Sequence, residues 1–470
     1  MSDINNVRHS CDPHVEWTKL SGLISHRRCS RVETDVVMAI SDVIQAVGRP
    51  IVSHAIDELL TSCGNPDFQV RTWDGTIWGA LQNPKFVLVL KNPEGLRRLL
   101  EPATEVSLGE AFIAGELDVE GDLEAAFDLG DYLLSRQSSD GISQALVSFV
   151  NKMSSLNKMS SHQKSPSDVR GPQLTGLTHS KHRDQQAVRY HYDLPPEFFA
   201  LWLDPHMMYS SAYFTNPSDD LAAAQERKLE YVCRKLRLRR GDHLLDIGCG
   251  WGGLIVYAAA HYGVQAHGIT LSLRQAETAR QRIHDAGLDR RCRVDVCDYR
   301  DLESAHPFDK IVSIGMFEHV GNALLSEYFR QAWRLLRPGG TFLNSGIASG
   351  LAHHKNGPAF VDRYVFPDGE LVPLSTSIAA AEANGFEVRD VESLREHYAM
   401  TLNQWVRRLE GSADQARNIT DDTIYRIWRL YMAGSRHQFR TGALNVYQIL
   451  LAKPFHGDSG MPLTRAAWYL

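Results

Sequence analysis

The sequence predicts an α/β chain built on a doubly wound, largely parallel sheet, and three observations carry that reading. At LLDIGCGWGGL (244–254) an apolar strand ends in an acid and breaks into glycines. Strand and helix signals then alternate at the spacing such a sheet requires. Polar residues recur at the carboxyl ends of the strands, where ligands of these sheets sit.

In chain order, Leu244, Leu245 and Ile247 read as a buried parallel strand. Gly248, Gly250, Gly252 and Gly253 let the backbone approach a ligand before the next helix begins. A helix over 254–261 leads to a second strand at 265–269, and Thr270, Leu271, Ser272 and Gln275 open the helix after it. The third strand, 294–296, ends at Asp298 and Tyr299; the fourth, 310–314, runs into GMFEHVG and places Glu318 just beyond a buried strand. A helix over 322–336 stops at Arg337-Pro338-Gly339-Gly340, and a fifth strand follows through Leu343. Strands near 386–391 and 446–451 bring the total to seven.

The glycine loop lacks the GKS or GKT of a phosphate-binding loop, and Asp246 repels phosphate while attracting a cationic amino group. S-adenosylmethionine, with an ammonium, a sulfonium and no phosphate, suits this pocket. A dinucleotide site and a plain tight turn stay open as alternatives.

Upstream, FQVRTWDGTIWGAL (68–81) alternates apolar and polar residues around Asp74-Gly75, a hairpin signal, and KFVLVL (85–90) reads as a buried strand. Residues 151–185 are rich in Ser, Lys, His and Gln and read as a flexible linker. The organisation expected is a smaller α+β domain over 1–150, the linker, a catalytic domain over 186–456 and a tail over 457–470.

Composition narrows the function classes. The 470 residues are 43% hydrophobic, enough for two or three sizeable cores. No apolar run reaches the ~18 residues of a membrane span, and MSDINNVRHS lacks signal-peptide regions. Seven cysteines without CxxC spacing argue against a zinc ribbon or disulfide framework, and a cytoplasmic location is expected. No metal site is expected: His353 and His354 lie in a polar loop without further ligands nearby. A net charge of −6 gives no attraction for nucleic acid, so a membrane contact needs a local patch. RKLRLRR (234–240) is one candidate, although a solvated helix end explains it more simply.

Several separate motifs resemble the cyclopropane fatty acid synthase family, including its mycolic acid cyclopropane synthase relatives. They are YHYDLPPEFF (190–199), LDPHMMYSSAYF (203–214), LDIGCGWGGL, GITLS, GMFEHVG, RYVFPDGELVP (363–373) and REHYAMTL (395–402). The resemblance implies a seven-stranded, doubly wound, Rossmann-like methyltransferase sheet with helical insertions over the acyl site. It implies methyl transfer from S-adenosylmethionine to the double bond of an unsaturated phospholipid acyl chain, at the cytoplasmic membrane surface, with ring closure assisted by a bound bicarbonate. LGEAFIAGELDVEGDL (108–123) is similar to the end of the amino-terminal domain of longer bacterial members. That domain would present lipid; a homodimer interface or a purely stabilising domain is the equal alternative.

Carried over residue by residue, the anion site falls on Glu318 and Tyr398, which match the family pattern, and on Ser211 and Ser345, which do not. Relatives have cysteine at the first and histidine at the second; Ser435 also replaces a frequent cysteine. Serine at 211 matters little where the family contact is from the backbone. Serine at 345 removes a ring donor and a potential cation. The expected outcome is a slower ring-forming enzyme. A methylene- or, after reduction elsewhere, methyl-branched product, a small-molecule methyltransferase and a lipid-binding protein with impaired catalysis are the alternatives. The cofactor set is Tyr209, Ser210, Asp246, Gly248, Gly250, Gly252, Thr270, Leu271, Ser272, Gln275, Asp298 and Tyr299. Simpler structural roles compete throughout: a turn cap for Tyr209 and Ser210, a packed histidine for His319, and an ordinary core helix for PEFFALWL (196–203).

Overall fold

The computed structural model describes residues 67–79, 82–100, 104–135, 171–350 and 359–466, with scattered positions between 52 and 60. His353, His354 and most of the 151–185 segment lie outside the described residues. Contacts divide the chain after Ser62, and the unit Cys63–Leu470 contains all the elements below.

Its first part comprises β1 (Phe68–Arg71), β2 (Ile77–Gly79), β3 (Phe86–Leu90), α1 (Pro93–Leu100), α2 (Glu105–Ile113), β4 (Leu117–Gly121) and α3 (Ala125–Ser135). The four strands form one sheet in the order β2-β1-β3-β4. The hairpin forms because Asp74 accepts from the Thr72 hydroxyl at 2.7 Å and from Thr76 N at 3.1 Å, while Gly75 takes φ +84°.

The catalytic part continues with α4 (Lys181–Tyr192), α5 (Pro196–Ala200), α6 (Leu221–Leu236), β5 (His243–Ile247), α7 (Gly253–Tyr262), β6 (Gln265–Thr270), α8 (Leu273–Asp285), β7 (Cys292–Val296) and β8 (Phe308–Ile314). After these come α9 (Leu325–Leu335), β9 (Leu336–Ser349), α10 (Phe360–Tyr364), α11 (Leu374–Ala383), β10 (Glu387–Ser393), α12 (Arg395–Gly411), α13 (Ala413–Ile419), α14 (Asp422–Thr441) and β11 (Leu444–Ala452). The seven-stranded order is β10-β11-β9-β8-β5-β6-β7, parallel except for β11, which runs against both neighbours. This is the Rossmann-like sheet expected. Strand order reverses between β5 and β8, so a crevice opens at their carboxyl ends. Successive residues of β5 feed opposite cores: Leu244 joins Val232, Leu254 and Ala258, whereas Leu245 joins Ile311, Phe329 and Phe342.

Four expectations change. The fifth strand does not end at Leu343 but runs to Ser349, because Asn344 and Ser345 are held by ladders on both sides. The Arg-Pro-Gly-Gly stop becomes an irregularity within that strand, where pairing jumps from Phe308↔Leu336 to Lys310↔Thr341. The linker reading fails at its end, since α4 begins at Lys181; the segment is polar, but Asp184, Ala187, Val188 and His191 repeat at helical spacing and are buried. RKLRLRR is only partly a solvated helix end. Arg237 closes α6 in a left-handed cap, and fully buried Lys235 pairs with Asp390 at 3.1 Å and with Glu392.

The boundary expected near residue 150 also does not isolate the front part, because α14 is fastened to it by charge. Arg426 pairs with Asp118 at 2.7 Å, Arg440 with Glu124 at 2.7 Å and His437 with Asp131 at 2.8 Å. The tail is engaged as well: Arg465 pairs with Asp390 at 2.8 Å. Among the described residues no helix is long and apolar enough to cross a membrane.

Candidate active site

The crevice holds a cavity of about 110 Å³. Tyr209, Ser210, Asp246, Gly248, Gly250, Thr270, Leu271, Gln275, Asp298 and Tyr299 line it. Gly250 has φ +54° and no atom within 4 Å of where a Cβ would stand, so a side chain there would occupy the crevice. Asp246 is 3% exposed; burial pushes its carboxyl up to about 7, against the pull of Lys228. A cationic ligand would restore its charge. Gln275 accepts from the Thr270 hydroxyl at 2.7 Å, leaving its amide N–H groups as donors. These features fit the ammonium, ribose and adenine of S-adenosylmethionine.

Gly252 and Ser272 do not line the cavity. Gly252, at φ +80°, starts α7, and a Cβ there would stand 3.0 Å from Ala279 Cβ of α8. Ser272 is the N-cap of α8: its hydroxyl accepts from Gln275 N at 3.2 Å and donates to Asp193 at 2.8 Å. Both serve the helix starts that shape the crevice.

Sequence reasoning missed the wall supplied by α4, from which Asp184, Val188 and Tyr192 reach the cavity. Buried Arg300 holds that wall in place, bonding Asp184 at 2.8 Å and Asp298 at 2.6 Å. The HYDLPP motif marked the region, although its polar composition hid the helix. His319 also lines the cavity, edge-on to Tyr192; burial lowers its pKa to about 4, so the ring is neutral.

A smaller cavity of about 20 Å³ shares Ser210, Ile314 and Gly315 with the first. It brings Glu318, Tyr398, Ser211 and Ser345 together with Lys228 and Gln448, two residues the sequence did not single out. Glu318 stands on a 3-10 turn, Phe317–His319, just after β8. Its Oε1 accepts from Ile347 N at 2.7 Å, whereas Oε2 is sealed from solvent without a partner among the described residues. Burial raises this carboxyl to about 7, with the Ile347 N–H opposing. Tyr398, on α12, is 7% exposed and its phenol is raised far above the usual range, first by burial and then by Tyr431 and Glu318. The Ser211 hydroxyl turns to its neighbour's carbonyl, Ala212 O, at 3.1 Å. Lys228 donates to Ser210 Oγ at 3.0 Å and Gln225 to Ser210 O at 2.9 Å, so α6 pins the segment that closes both cavities. Tyr431 also interacts with Ser435.

Aromatic rings wall this region. Tyr209 donates to Tyr431 at 3.1 Å and packs against Trp202 and Trp405, and Trp251 meets Phe199 at 4.7 Å. Phe198, Phe199 and Trp202 are fully buried, so 196–203 packs as core.

A family model described as mycolic acid cyclopropane synthetase matches residues 179–449. The chain belongs to this family. It is 40% identical to a probable fatty acid methyltransferase of Pseudomonas putida over 85% of this chain and 96% of the relative. It is 32% identical to the cyclopropane-fatty-acyl-phospholipid synthase of Escherichia coli, over 77% and 87% of the two chains. Among solved structures, cyclopropane synthase MmaA2 from Mycobacterium tuberculosis aligns with a TM-score of 0.54 at 32% identity, covering 57% of this chain and 97% of its own. Membership makes the chain an S-adenosylmethionine-dependent methyltransferase acting on lipids.

Proposed function

We propose that this family member methylates the double bond of an unsaturated phospholipid acyl chain and closes a cyclopropane ring. One observation carries the reading: the Glu318 carboxyl is buried with its Oε2 unpartnered among the described residues, in a cavity that shares Ser210, Ile314 and Gly315 with the cofactor crevice.

When bound, S-adenosylmethionine supplies an electrophilic methyl group. Asp246 would hold its ammonium, Gly250 leaves the crevice open for it, and the α4 wall would limit access of water. An isolated alkene is a weak nucleophile, so alignment in a dry site supplies much of the rate. The aromatic faces of Tyr192, Tyr209 and Trp251 stabilise the carbocation that methylation leaves on the acyl chain. Glu318 then accepts a proton from the new methyl carbon as the third ring bond forms. A bicarbonate would be held by Glu318 and by the hydroxyls of Tyr398 and Ser345, and would supply a second base. The orphaned Glu318 Oε2 calls for such a donor-bearing partner, and the small cavity has the volume for one compact species. The substrate brings the enzyme to the cytoplasmic membrane surface.

Ser345 favours a second reading. Without an imidazole there, the cation loses a different proton, directly or after a hydride shift, giving a methylene-branched chain, which becomes methyl-branched only after reduction by a separate hydride-donating enzyme.

Incubation with labelled S-adenosylmethionine and unsaturated phospholipid vesicles tests both. Acyl chains gaining the mass of one CH₂ support the proposal, and gas chromatography of the esters separates ring from branch. Label on a polar metabolite, or lipid binding without transfer, would sink it.

A further inference from the structure

Lys310 stands near the start of β8, at the amino ends of the central strands, opposite the active site and roughly 16 Å along the strand from Gly315. It is 8% exposed, donates to Thr341 Oγ1 at 3.1 Å and makes no ion pair among the described residues. It contributes to a cavity of about 330 Å³, with Arg237, Arg239 and Arg337 also in the lining.

Two acids share this lining, and each is committed to its own turn: Asp242 accepts from Arg239 N at 2.8 Å and Asp458 from Gly460 N at 2.8 Å. Arg337 is already paired with Asp309, so three cations, Lys310, Arg237 and Arg239, meet the two carboxylates. Burial lowers the Lys310 pKa to about 8; Asp242 and Asp309 support its charge, while Arg337 and Arg237 oppose it. A buried ammonium beside guanidinium groups is costly until an anion joins them.

We propose that this cavity binds a phosphate group, free or as an ester, between Lys310 and the arginines Arg237 and Arg239. Guanidinium and ammonium donors match the oxygens of a tetrahedral oxyanion. The volume exceeds that of bare phosphate, and the half-exposed ring of Phe455 on the wall gives an ester substituent a surface to lie on. The site is independent of the catalytic chemistry. It gives the RKLRLRR stretch a second use beyond ending a helix.

The test titrates inorganic phosphate and glycerol phosphate into the full chain by calorimetry, and measures sedimentation with phosphatidylglycerol vesicles. Wild type, Arg239→Gln and Lys310→Met are compared. Saturable phosphate binding is expected, about tenfold weaker in each variant. Vesicle binding that falls in parallel identifies a lipid headgroup as the source; vesicle binding unchanged while phosphate binding falls identifies a soluble phosphate compound. No saturable binding to the wild type, or equal affinity in Arg239→Gln, overturns the proposal. Arg239 is exposed, so its variant remains decisive even if Lys310→Met fails to fold.

Discussion

Ser345 on β9 lies directly opposite Gln448 on β11, and both line the small cavity that holds the Glu318 carboxyl. Neither supplies a titratable ring, so the proposed mechanism gives proton acceptance there to Glu318. Ser345→His should shift the product mixture toward the ring by about tenfold, a barrier difference of ~1.4 kcal/mol. Gas chromatography of esters made by the two proteins measures the ratio. An unchanged ratio would remove position 345 from the account of product choice.

Glu318→Gln should cut turnover by about 10²–10⁴-fold, the usual range for a lost general base. Cofactor affinity should stay within about twofold, well below the tenfold that ~1.4 kcal/mol produces, because Glu318 does not line the larger cavity. Equal loss of both would make the residue structural.

The same carboxyl links stability to pH. Its folded value of about 7 exceeds the ordinary 4.5, so the native state binds the extra proton between those values. Stability is favoured at low pH and falls as pH rises through that window. Glu318→Gln should therefore stabilise the protein by about 3 kcal/mol at pH 8 and have little effect near pH 4. Urea unfolding at the two pH values checks the sign, and wild-type activity should rise along a limb centred near pH 7.

Arg300→Met leaves Asp184 and Asp298 buried without their cation, at a cost of about 3–5 kcal/mol. The α4 wall should loosen and the KM for S-adenosylmethionine should rise. An unchanged KM would show that the network only stabilises the fold.

Gly250→Ala places a methyl group in the cofactor crevice and imposes a left-handed conformation costing about 1–2 kcal/mol. Cofactor affinity measured by calorimetry should fall by tenfold or more on the scale of ~1.4 kcal/mol per decade. Retained affinity would mean that the ligand does not approach the loop.

The sheet was legible because β5 (Leu244, Leu245, Ile247) and β8 (Ile311, Val312, Ile314) carry short apolar stretches that break into glycine at Gly248 and Gly315, a local pattern that tertiary contacts reinforce. Glu318 and Tyr398 were legible through motifs far apart in the chain. Other features depend on distant partners. Lys228 sits in a helix whose spacing looks like a solvated face, and its burial is set by Ser210 across a loop. Ser345 read as a residue after a strand because the β11 ladder that extends β9 comes a hundred residues later. The α4 wall was hidden because its buried face is polar and is neutralised by Arg300.

Helix α14 works as a shared beam. One flank sends Arg426, His437 and Arg440 to acids of the front sheet and its helices. The other sends Trp428 and Tyr431 toward Tyr209 in the reaction centre. Trimming the front part away would thus strand a row of guanidinium groups on the back of the active-site floor. A minimal catalytic version of this enzyme would have to be redesigned along that flank.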